Sequence, residues 1–156
     1  MGISGRQEIF DESVSAVTLT PSNTIGTTRY EGENKYLYVF NAGGEQISPG
    51  LGVTISAVTG YSVTVSSVTS VNPCIGVVEN ATLTTDTFGW VVTRGFVSIE
   101  MTAQTGIAAS EPIILGTNGV HARATGATGY AFAPHGFGVG TIGSGASGVA
   151  YVNCFS

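Results

Sequence analysis

The chain has 156 residues, of which 42% are hydrophobic and only 10% charged, and its net charge is -5. That length suits one domain around one core, and that apolar content excludes a disordered composition. Ordinary soluble domains carry roughly 25% charged residues, and five Lys and Arg side chains leave no cationic footprint for nucleic acid.

Residues 1–25 read as an N-terminal arm ahead of a β-domain at 26–156. The opening MGISGRQEIF lacks the apolar stretch of a signal peptide, and Arg6 breaks the myristoylation pattern. No run approaches the roughly 20 apolar residues of a membrane span, so no membrane partner is expected. Residues 1–45 carry six acidic and three basic groups, against four and two in residues 46–156. Along the arm, Ile9, Phe10, Val14, Val17 and Leu19 are placed as in a segment that packs on something, such as a neighbouring subunit. Ile9 and Phe10 are therefore candidate interface residues. Pro21-Ser22-Asn23 closes the arm with a turn signal.

Beyond the arm the material is β-branched: 18 valines and 20 threonines against 5 leucines and 1 lysine. Such side chains favour strands over helices. KYLYVFNAGG predicts a first strand. In VTISAVTGYSVTVSSV, Val53, Ile55 and Ala57 alternate with polar residues, and so do Tyr61, Val63 and Val65 after the Thr59-Gly60 link; this predicts a hairpin. CIGVVE and GWVVTRGFVSIEM follow as strands. EPIILGTNGVHARA predicts a second hairpin about a type I′ turn at Asn118-Gly119, and GVAYVNCF a closing strand. No amphipathic helix of ten residues stands out. The expected fold is all-β: a small β-sandwich or β-barrel, tulip-like in form, with an extended N-terminal arm.

EQISPGLGVTI (45–55) is similar to TGIAASEPIIL (105–115). Each is followed about 30 residues on by CIGVVEN or FGVGTIG, then by GWVVTRGFVSIEM or GVAYVNCF. An internal duplication and convergent strand-turn grammar account for this equally well.

No residue set nominates a reaction. GVGTIG (138–143) fits the dinucleotide string, but no helix and no acidic residue follow it, so it reads as a Gly-rich strand and loop. His121 and His135 read as surface or loop histidines without convergent metal ligands. Cys74 and Cys154 read as two buried thiols, a disulfide requiring that the fold bring them together. NAT (80–82) is a glycosylation acceptor only in a secreted protein. The third class weighed, a small β-barrel hydrolase, lacks a nucleophile and base. No catalytic residue, cofactor or metal is expected.

FGWVVTRGF (88–96) holds the single tryptophan. As a strand it sends Trp90, Val92 and Arg94 to one face and Val91 and Thr93 to the other. Trp90 is expected to pack, and the Arg94 fork to tie down a carboxylate or carbonyl within the subunit or across an interface. Both are candidate interface residues. A ligand platform built on Trp90 is the alternative.

GTTRYEGENKYLYVFNAGGEQISPGLGVTI, CIGVVE…FGWVVTRGFVSI and FGVGTIG…GVAYVNCF resemble, in that order, the strands of bacteriophage capsid decoration (cement) proteins and related head proteins. The resemblance covers about residues 26–155; the longer, acidic arm departs from it. It implies a non-enzymatic β-rich subunit, commonly a homotrimer. Made in the host cytoplasm, such a subunit would bind the major capsid protein on the outside of the virion and stabilise the shell. The alternative is a head-fibre or receptor-binding module that grips carbohydrate through aromatics around Tyr130, Phe132 and Phe137.

Overall fold

The β-branched runs form strands where their alternation places them. The computed structural model describes Phe10 and residues 12–56, 61–65, 73–104, 106–124 and 134–154. Ile9, Ala57, Thr59-Gly60, Tyr130 and Phe132 lie outside the described residues. The strands are β1 (Thr28–Glu31), β2 (Asn34–Asn41), β3 (Gly52–Ile55), β4 (Ser62–Val65), β5 (Gly76–Val78), β6 (Phe88–Glu100), β7 (Pro112–Leu115), β8 (His121–Arg123), β9 (Gly136–Gly138) and β10 (Ser147–Asn153). A short 3-10 turn covers Thr117–Gly119. The predicted β3–β4 pairing is present, with Val53 opposite Val65. In the turn between β7 and β8, Asn118 and Gly119 both take positive φ (55° and 78°), as an Asn-Gly turn requires.

All ten strands belong to one mixed sheet, ordered β1-β2-β4-β3-β5-β6-β10-β9-β7-β8, with a further β2–β6 pairing. The sheet therefore curls. Strands β2, β4, β3, β5 and β6 pair in a closed circuit. A second circuit runs β6, β10, β9, β7, β8 and returns to the end of β6 through a parallel bridge between Met101 and His121.

The two circuits repeat one another residue for residue. Gly52 faces Val77 and Val53 faces Gly76; sixty positions on, Pro112 faces Phe137 and Ile113 faces Gly136. The contact of Val91 with Leu37 recurs as Ala150 with Val97. Outside the strands, the Ile47–Leu83 bridge recurs as Ile107–Ile142, and the Asn41–Val63 pair as Met101–His121. The turn bond from Gly50 N to Val78 O recurs from Ser110 N to Gly138 O, each 2.8 Å. These matches decide for an internal repeat. They also correct one detail: CIGVVEN pairs with PHGFGVG, three residues before FGVGTIG.

Each circuit encloses part of the core. Leu37, Val39, Ile47, Val53, Val63, Val78, Leu83 and Val91 pack together inside the first. Val97, Ile99, Ile107, Ile113, Ile142 and Ala150 hold the matching places in the second. Strand β6 serves both circuits across a bend at Gly95, with Val91 facing the first interior and Val97 and Ile99 the second. The φ of 126° at Gly95 is open to glycine alone, and a Cβ there would sit 2.0 Å from Asn34 Oδ1. The Asn34 amide clamps the bend, donating to Phe96 O and accepting from Phe96 N, both at 2.9 Å. Before the bend Trp90 and Val92 are buried; after it Val97 and Ile99 are buried while Phe96 and Ser98 face out.

Candidate interaction surface

The outer face of the first repeat is covered by the arm of the same chain. Thr18 joins the start of β6 through reciprocal backbone bonds with Phe88, at 3.0 and 2.8 Å. Phe10 stands edge-on to Trp90, ring centroids 5.6 Å apart, and Tyr38 lies 4.9 Å from the Trp90 ring. The Trp90 indole N–H donates to the Glu12 carboxylate at 3.1 Å. Ser22 and Asn23 donate to that same carboxylate. The buried Arg29 donates to the Glu12 carbonyl at 2.7 Å and to the Glu31 carboxylate at 3.0 Å. Its guanidinium lies 4.7 Å from the Trp90 ring and 5.1 Å from the Phe10 ring, within cation–π reach of both. Phe10 and Trp90 thus meet each other within one chain.

Next to this covered face, burial and then the Glu79 carboxylate to which Tyr36 donates push the Tyr36 hydroxyl up to about 12.

Among the described residues the second repeat has no such cover. Three neighbouring strands align Phe96, Tyr151 and Phe137 in one row. Their rings lie 5.3 Å (Phe96–Tyr151) and 5.4 Å (Phe137–Tyr151) apart. The next row holds Ser98, Val149 and Val139, with Val139 N donating to Val149 O at 3.1 Å. Phe96, Phe137, Val139 and Val149 are 43–50% exposed, and they are four of the eight exposed large hydrophobics among the described residues. Arg94 edges the rows. Its Nε donates to the Tyr151 hydroxyl at 3.2 Å, where the sequence points to a carboxylate or carbonyl.

His121 and His135 are buried, correcting their reading as surface groups. The second repeat places His121 where the first has Val63 and His135 where the first has Ile75, both inside the core. Nδ1 of His121 and Nε2 of His135 are 3.1 Å apart. Burial, then His135, holds His121 well below its ordinary value, so the ring is neutral. Cys74 and Cys154 are free and buried, as expected of thiols, and the fold does bring them together. Cys154 donates to Cys74 across 3.7 Å, which makes Cys74 the thiol that ionises first. The same bond and burial hold Cys154 well above its ordinary value. Among the described residues no group of three or more His, Cys, Asp or Glu side chains is placed to hold a metal ion.

A repeated ten-strand sheet with an arm laid on one outer face can be compared with solved structures. The N base of the head fiber protein gp8.5 of bacteriophage phi29 matches with a TM-score of 0.53, covering 78% of this chain and 98% of that chain at 7% sequence identity. This chain is similar in fold to a phage fiber base. No family model and no curated protein sequence matches the chain.

Sequence reasoning had selected Phe10, Trp90 and Arg94, and it missed Glu12, Arg29, Phe96 and Tyr151. Glu12 and Arg29 gave no signal, because the Trp90 ring that both of them meet lies in a distant segment of the chain. For Phe96 the alternation in FVSIE was a signal, since it sets Phe96 and Ser98 opposite Val97 and Ile99.

Proposed function

We propose that this protein is a non-enzymatic structural component of a phage virion. It binds the outside of an assembled head, braces it, and works as a homotrimer with the major capsid protein as its other partner. The observation that carries this reading is the fold, which is similar to that of the N base of a phage head fiber protein. The surface chemistry supports it. Few charges lie beyond residue 45, and apolar or aromatic anchors rather than ion pairs dominate stable interfaces. Binding an intact lattice and not its loose subunits stabilises the lattice by mass action.

Head-fibre or carbohydrate recognition is the second reading, favoured by the exposed Phe96, Tyr151 and Phe137 row. Thermal or osmotic rupture of purified shells, with and without added protein, separates the two. Bracing raises the rupture threshold, with little dependence on salt. Equal thresholds at saturating occupancy reject it, and glycan-array binding would then establish the second reading.

A further inference from the structure

The internal repeat supplies its own comparison for the exposed face. In the first repeat Tyr36, Tyr38, Val77, Trp90 and Val92 occupy the outer rows, none more than 5% exposed, and they share one cluster with Phe10 and Val14 of the arm and with Val97, Ile99 and Val152 of the second repeat. The pairings place Phe96, Ser98, Phe137, Val149 and Tyr151 at the same positions of the second repeat. There Val149 is 50% exposed where Trp90 is 4%, and Phe137 is 43% exposed where Val77 is 0%. One face is finished by its own chain; the other is apolar and unfinished.

We infer that the outer face of β6, β10 and β9 is a self-association surface whose occupant is a further copy of this chain. Charge places the copies. Along β6 the outward residues run Arg94, Phe96, Ser98 and Glu100, so the apolar rows lie between a cationic and an acidic end. Arg94 of one copy set against Glu100 of the next satisfies both ends and brings apolar rows together, in a closed pair or a closed ring alike. A sugar site needs several free polar groups beside its aromatics; here aliphatic Val139 and Val149 adjoin the row, and the Tyr151 hydroxyl already accepts from Arg94. The paired seven residues of β6 and β10 with the three of β9 make a patch of roughly 250 Å², which supplies the apolar centre of an interface that extends over neighbouring surface to roughly 800 Å² per copy. The inference deepens the proposed assembly of copies and rests on it only for their number.

The test is solution mass by light scattering, on the full chain and its variants, with far-UV circular dichroism confirming that each is folded. Arg94→Glu and Glu100→Arg should each weaken self-association by about tenfold. The double reversal should restore it, because the contact is then rebuilt with its signs exchanged. Phe96→Asp should give monomers, and Val149→Lys is the second probe if Phe96→Asp does not fold. A monomeric wild-type protein overturns the inference, as does a double reversal without rescue or an unchanged mass for folded Phe96→Asp or Val149→Lys. If these variants keep their mass but no longer bind shells, the face belongs to the shell contact and the inference fails. Failure in mass with a raised rupture threshold leaves the bracing function standing.

Discussion

Replacing Trp90 tests the arm clamp at its centre. The ring is 4% exposed and touches groups from three segments: Phe10 edge-on, Tyr38 at 4.9 Å, and the Arg29 guanidinium at 4.7 Å. Truncating a buried aromatic to alanine costs about 3–5 kcal/mol. For a domain of this length that lowers the melting temperature by roughly 10 °C. Trp90→Phe isolates the polar part. It keeps a ring but removes the N–H donor of the Glu12 carboxylate, which retains Ser22 and Asn23. That variant should cost about 1–2 kcal/mol. Urea unfolding followed by far-UV circular dichroism measures both, since the replacement removes the only tryptophan fluorophore. In the wild-type protein the emission should be blue-shifted and poorly quenched by iodide. A cost below about 1 kcal/mol for Trp90→Ala would refute the clamp, because such a value belongs to an exposed side chain.

Deleting residues 1–25 should uncover Trp90 and Tyr38, shifting the emission to the red and opening it to quencher; an unchanged spectrum would mean that the arm does not cover them. If the arm also attaches the protein to shells, the truncated chain will self-associate and fail to bind them. His121 sets an acid limit on stability. Its folded value is depressed, so the unfolded chain takes up a proton that the folded chain refuses. Stability is complete above the ordinary value near 6.5 and falls by about 1.4 kcal/mol per pH unit as pH drops below it. The double variant His121→Val, His135→Ile copies Val63 and Ile75 of the first repeat, and its unfolding free energy should be flatter between pH 6.5 and 5. An equal slope in both proteins would place the titration elsewhere.

Most strands were legible because their alternation is local. Val53 and Ile55, then Val63 and Val65, declare one hairpin within thirteen residues, and Asn118-Gly119 declares the turn of another, between β7 and β8. The bend in β6 was not legible: GWVVTRGFVSIEM reads as one strand, and only the positive φ of Gly95, clamped by Asn34, shows that its two halves serve different interiors. The histidines misled for a related reason. An imidazole beside a turn reads as exposed, and only the register of the repeat shows that it occupies a valine's place in a core. Trp90 was correctly read as packed, while its partners Glu12 and Arg29 became visible only when the arm was laid across β1 and β6. For the exposed row the sequence held two parts, Phe137 among the aromatics of a recognition module and Phe96 in the alternation of FVSIE. The alignment of Phe96 with Tyr151, 55 residues later, is a matter of strand pairing.

Strand β6 belongs to both repeats, as the last strand of one and the first of the other. Phe88–Val92 lie against β2, and Arg94–Glu100 lie against β10. Cutting the chain between the repeats would therefore leave one half with an unpaired edge and a bare interior. Neither half is an autonomous folding unit, unlike the links of a solenoid, where each repeat meets only its neighbours and unravelling can start at an end. Loss of pairing along β6 strips the walls of both interiors together, so the molecule yields as a whole. That concentrates resistance to unfolding in a single cooperative step.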